Sequence, residues 1–104
     1  MTKSVYRDLF GNEIRLTEER YLHIIERKEL VDEQWRIGET LQHPDVVKRS
    51  NHDSEVLLYY RHYGYTPVTS KYMVVIAKVA PSDSFVLTAF FTDQIKEGET
   101  RWER

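Results

Sequence analysis

The sequence predicts an α+β domain in two layers: an N-terminal hairpin and two helices packed on a curved antiparallel sheet, in the order β-β-α-α-β-β-β-β. Three observations predict it. Apolar and polar residues alternate around a Gly–Asn pair near the N-terminus. Helical spacing follows, and beyond Pro44 the apolar residues are β-branched and aromatic, in runs joined by short turn segments.

In residues 4–16, Val5, Arg7 and Leu9 alternate with Tyr6, Asp8 and Phe10. Gly11–Asn12 supplies positive φ, and Ile14 and Leu16 resume the alternation. Thr17 then has the chemistry of an N-cap, with Glu18 and Glu19 where the helix dipole favours negative charge. Tyr21, Leu22, Ile24 and Ile25 gather on one side of the following helix, while His23 falls away from that stripe between Arg20 and Arg27. A second helix over about 33–42 carries Trp35, Ile37 and Leu41. It ends at His43–Pro44, because the residue before proline disfavours the α region.

Val46 and Val47 suggest a short strand, and residues 50–54 (SNHDS) are turn chemistry. Residues 55–63 form a strand on which Tyr59, Arg61 and Tyr63 share one face, and Tyr60 and His62 the other. After a loop at 64–70 come KYMVVIAKV (71–79) and SFVLTAFFT (84–92), each apolar on both faces, with a Pro–Ser–Asp turn between them. Short connections make this part an antiparallel meander. The tail is polar except for Ile95 and Trp102, one of which is expected to dock the terminus.

The 104 residues suit one domain, 1–104, able to bury roughly 60–70% of its unfolded surface. The absence of cysteine excludes disulfides, thiolate zinc sites and cysteine nucleophiles. No apolar run approaches the roughly 18–20 residues that span a bilayer, and the charged first residues lack the apolar stretch of a signal peptide. A cytoplasmic protein is the expectation. Charge is nearly balanced, 15 Lys and Arg against 17 Asp and Glu, and each half of the chain is balanced too. That argues against coating nucleic acid through charge alone and leaves room for a local basic pocket.

No phosphate loop, nucleophile elbow or paired-histidine zinc motif is present. Histidines 23, 43, 52 and 62 have no metal-ligand spacing, so neither a metal nor another cofactor is expected. What remains is a set of polar residues among apolar strands. Attack by RNA's own 2′-hydroxyl needs a base, cations for the charged phosphorane and an acid for the leaving oxygen. A histidine, an Arg or Lys, a hydroxyl and a tyrosine supply those parts, and exposed tyrosines stack on splayed bases. Taken singly, each residue has a plainer explanation. His23 is a solvated helix residue, Arg61 an edge charge or partner of Glu55, and Lys78 a snorkelling strand end. Thr88 is a β former, the tyrosines pack with hydroxyls at the rim, and Arg20 and Arg27 pair with nearby acids.

Three stretches together, TEERYLHIIERKEL, IGETLQHPDVVKRS and YMVVIAKV with SFVLTAFFTDQIKEG, resemble the phage- and bacteria-associated nuclease-like domains of the barnase–EndoU–colicin–RelE group. The resemblance covers residues 14–98. It implies a RelE-like fold and matches His23 to the helix histidine, Thr88 to the hydroxyl of the last strand, and Lys78 to the basic residue closing the middle strand, with Arg61 as a further strand cation. Two departures stand out: Lys28 replaces a second histidine, and Phe90 replaces the tyrosine of a Thr-Ala-Tyr triplet. The expectation is therefore a metal-independent endoribonuclease-like domain, weakened or inactive if those two groups matter. As a toxin or phage-linked effector it would act on single-stranded RNA, with His23, Arg61, Lys78 and Thr88 catalytic and Tyr59 and Tyr60 stacking on bases. An antitoxin is one expected partner. The competing expectation is a non-catalytic binding or assembly module, dimerising through the long strand at 55–63.

Overall fold

Thr17 is where extended chain becomes helix. Its backbone is still extended (φ −78°, ψ 155°), and its side-chain oxygen accepts the Arg20 amide that the helix leaves open. In this computed structural model, which describes residues 1–104, two strands precede that point, β1 (Thr2–Arg7) and β2 (Glu13–Thr17). After it come α1 (Glu18–Ile24), a 3₁₀ turn (Lys28–Leu30) and α2 (Gln34–Gln42). Five strands follow: β3 (Val46–Arg49), β4 (Val56–Tyr63), β5 (Lys71–Val79), β6 (Ser84–Thr92) and β7 (Glu99–Glu103).

The hairpin forms as its alternation predicts, and its turn is organised by Asp8. That buried carboxylate accepts the Phe10 and Asn12 amides, the Asn12 side chain and the Tyr59 hydroxyl. Gly11 takes φ +88°, a region in which a side chain is strained. α1 departs from expectation in what it buries. Ile24 is fully buried, but Leu22 is 54% exposed. The two are about 200° apart around a helix and cannot share a face.

The sheet has seven strands in the order β1-β2-β6-β5-β4-β3-β7. β3 to β6 form the expected meander. Three features differ from the sequence reading. First, residues 99–103 form an edge strand on β3, with Trp102 packed against the core. A strand with one apolar side chain reads as a polar tail, and charges on an edge are ordinary. Gly98 permits the approach, since a Cβ there would lie 2.6 Å from the Arg49 carbonyl oxygen. Second, β2 meets β6 in parallel at Arg15 and Phe85, so the sheet is mixed. The Arg15 guanidinium grips Asp83 through hydrogen bonds of 3.0 and 2.7 Å across this seam. Third, β4 pairs with both β3 and β5, so the dimer contact expected of residues 55–63 has no free edge to use.

Both helices lie on one side. α1 packs on β6 and β2, and α2 on β5, β1 and β4. Between helices and sheet sits the main core, which includes Ile14, Leu16, Ile24, Ile37, Leu41, Val47, Tyr59 and Val75. Each such side chain contributes roughly 1.5–3 kcal/mol by leaving water. No helix is long and apolar enough to cross a membrane.

Candidate nucleic-acid interface

Side chains alternate across a strand, so each inner strand serves two faces. On β4, Leu57, Tyr59 and Tyr63 enter the main core, while Val56, Leu58 and Tyr60 point to the other side. That other side carries a second apolar cluster, Val46, Leu58, Tyr60 and Val74, margined by Val56, Tyr72, Ile76 and Phe90. Neither helix contributes to it. The segment joining β6 to β7 crosses part of this face, where the Lys96 amide donates to the Tyr60 hydroxyl at 3.1 Å.

The two tyrosines expected to stack on bases are core residues. Tyr59 is 0% exposed with its hydroxyl on Asp8, and Tyr60 is 1% exposed beneath the crossing segment. Neither ring offers a free face, and the assignment is corrected. Arg61 and Lys78 are separated by the pleat and by distance. Arg61 is on the helix side, its Nε 3.4 Å from Glu39 and its Nη1 donating to the His43 carbonyl at 2.6 Å. Lys78 is on the helix-free side, its Nζ 2.7 Å from Asp53 and 3.4 Å from Glu55. On β5 the partner of Arg61 is Met73, five residues from Lys78, or roughly 17 Å of strand. One phosphate cannot touch both. His23 stands on α1 with its side chain 52% exposed and its Nδ1 3.9 Å from Glu26. The four residues therefore do not form one pocket.

Thr88 does reach the helix-free face, and a β-bulge puts it there. Ala77 pairs with Val86 and Ile76 with Thr88, which leaves Leu87 without a partner. In strict alternation Val86 and Thr88 would point the same way. The extra residue sends Val86 into the main core and turns Thr88 toward Ile76 and Phe90. There the Thr88 hydroxyl is buried and bonds to nothing else in the protein. A buried polar group left so costs about 1–3 kcal/mol, so position 88 is not optimised for stability.

Next to it, Arg27 holds its guanidinium 5.3 Å above the Phe90 ring instead of pairing with an acid. Tyr72 lies on the same face, edge-on to Tyr60 and to His62 at centroid distances of 6.4 and 5.1 Å. Lys48 is there too, bonded to the neutral Thr100 hydroxyl at 2.8 Å. In comparisons with known proteins, no family model matches the chain, and no curated sequence or solved structure is significantly similar to it. Its chemistry is read from the face itself.

Sequence reasoning missed Arg27, Tyr72 and Phe90. A signal existed for one of them: Phe90 follows Thr88 by two, the spacing of one strand face. The surroundings of the titratable groups narrow the roles further. Burial and then the neighbouring Glu39 push the Tyr63 phenol up to about 12, and burial with the Asp8 hydrogen bond raises Tyr59 further still. Both stay protonated near neutrality. The hydrogen bond that Lys78 donates to Asp53 raises the Lys78 ammonium and lowers the Asp53 carboxyl, fixing that pair in its charged form. No group of three or more His, Asp or Glu side chains is gathered as metal ligands.

Proposed function

We propose that the helix-free face of the sheet binds single-stranded RNA and that the domain is a metal-independent endoribonuclease working by attack of the 2′-hydroxyl. One observation carries this reading: a guanidinium without an acid partner, Arg27, stands over Phe90 two residues from an unsatisfied hydroxyl, Thr88, on an apolar face without a helix. The partly exposed Tyr72 ring suits an unstacked base, since every base has a π-face. The planar fork of Arg27 suits a phosphate. In the reaction His23, on the last turn of α1 before the bend that carries Arg27, takes the 2′-hydroxyl proton as the new oxygen–phosphorus bond forms. The bond to the 5′-oxygen breaks, and that oxygen takes up a proton from water, leaving a cyclic phosphate and a free 5′-hydroxyl. Arg27 offsets the charge of the phosphorane, and the Thr88 hydroxyl, which has no exposed surface in the free protein, is uncovered on binding to donate to one of its oxygens.

The test is cleavage of single-stranded RNA in chelator by wild type, Arg27→Gln and His23→Ala. Wild type is expected to cleave, with His23→Ala slower by roughly a hundredfold or more. No cleavage by wild type overturns the enzyme reading, and equal rates for His23→Ala remove His23 from it. Affinity should fall with salt with a log–log slope of about −1.4, as for two phosphates met by Arg27 and Lys48. A binding-only role on this face is favoured by Lys78, whose charge Asp53 and Glu55 already hold. It predicts RNA bound and released uncut. A protein partner, whether an antitoxin or a second copy, would pair through β1 or β7, the edges left free.

A further inference from the structure

The helix side of the sheet has an opening of its own, where His43 and Pro44 end α2. Leu9, His43, Pro44, Arg61, Trp102 and Arg104 line a cleft there of about 420 Å³. We propose that this cleft is a second anion site, distinct from the RNA face, taking a phosphate monoester with a planar body such as a nucleoside monophosphate.

Arg61 is held in place from several sides. Its Nη1 donates to the His43 carbonyl, its Nε lies near Glu39, and its guanidinium carbon is 5.6 Å from the Tyr63 ring centroid. Yet the Nε is buried without a hydrogen bond, and Nη2 makes none within the protein. Arg104 spends one nitrogen on Asp45 at 3.2 Å, which leaves the rest of its fork free. The two carboxylates nearby are already shared. Glu39 accepts the Tyr63 hydroxyl at 2.7 Å, and Asp45 accepts the His62 amide at 2.7 Å. Two guanidinium groups lining one cleft, Arg104 with most of its fork free and Arg61 with Nη2 unspent, match a tetrahedral dianion. Leu9, Pro44 and Trp102 make the remaining wall apolar, and a flat ring can lie against it while its phosphate meets the arginines. His43 lines the mouth. The sequence singled out Arg61 as a phosphate cation, and this is the pocket in which it stands.

The experiment is an NMR titration of the ¹⁵N-labelled chain with adenosine monophosphate and, separately, inorganic phosphate, following the Trp102 indole N–H. The monophosphate should shift that signal saturably, and more tightly than phosphate does. Arg104→Gln, a change at an exposed side chain, should weaken binding about tenfold, the loss of one charge-assisted contact. No saturable shift at Trp102, or an Arg104→Gln variant that binds like wild type, overturns the site. Equal affinities for the two probes overturn the planar-body assignment. Failure here leaves the RNA face untouched, because that face reports through Tyr72 and Phe90 and contains neither arginine.

Discussion

A threonine and a valine differ by one polar atom, and at position 88 that atom has nothing in the protein to bond. Removing it while keeping the shape relieves a desolvated hydroxyl, so Thr88→Val should leave stability unchanged or raise it by up to about 1 kcal/mol. On the proposed function the same change should lower RNA affinity or cleavage roughly tenfold. Urea unfolding and an RNA assay on one preparation check both, and a variant that is less stable yet equally active contradicts the role given to the hydroxyl. A polar side chain between apolar neighbours made Thr88 legible in the sequence. Its direction was not legible, because the Leu87 bulge interrupts the period that sequence reasoning counts. Tyr59 and Tyr60 failed for a related reason. Exposure and burial look alike for a tyrosine whose hydroxyl has a partner, and here Asp8 and the Lys96 amide are those partners.

At the scale of elements, the seams of the sheet are tied by acids that pair across them. Asp83 holds Arg15 where β2 meets β6, Asp53 holds Lys78 beside the β4–β5 pair, and Glu99 joins β7 to Arg49 of β3. All three carboxyls are lowered by their partners, Arg15, Lys78 and Arg101 respectively. A carboxyl lower in the folded than in the unfolded chain adds stability above its unfolded value, about 4, and loses it as pH falls through the folded value. The urea midpoint should therefore drop between about pH 5 and pH 3, by little because these groups are exposed and screened. Asp53→Asn, Asp83→Asn and Glu99→Gln combined should flatten that drop, and an undiminished loss would show that other groups govern acid unfolding. The inner strands and the Thr17 cap were legible because periodicity and capping are local. The parallel junction and β7 were not, because a single bridge and a one-sided edge strand leave almost no pattern.

For the whole molecule, the sheet is a partition with two unlike sides. One side is sealed by α1 and α2 over the main core, and the other carries a smaller apolar cluster crossed only by the 93–98 segment. The α+β class and its layers follow from the order of elements, which the sequence displays. Which of the polar residues meet does not follow, since Arg61 and Lys78 fall on opposite sides of the partition, roughly 17 Å apart along β5. Arg27, set down as the partner of an acid, reaches the helix-free side from the end of α1, a contact no local spacing encodes. The most direct measurement is therefore an NMR titration with a short single-stranded RNA, read by face. Shifts confined to Arg27, Tyr72, Ile76, Thr88 and Phe90 are the result expected; shifts confined to the helix side, or none, would contradict the assignment of this face.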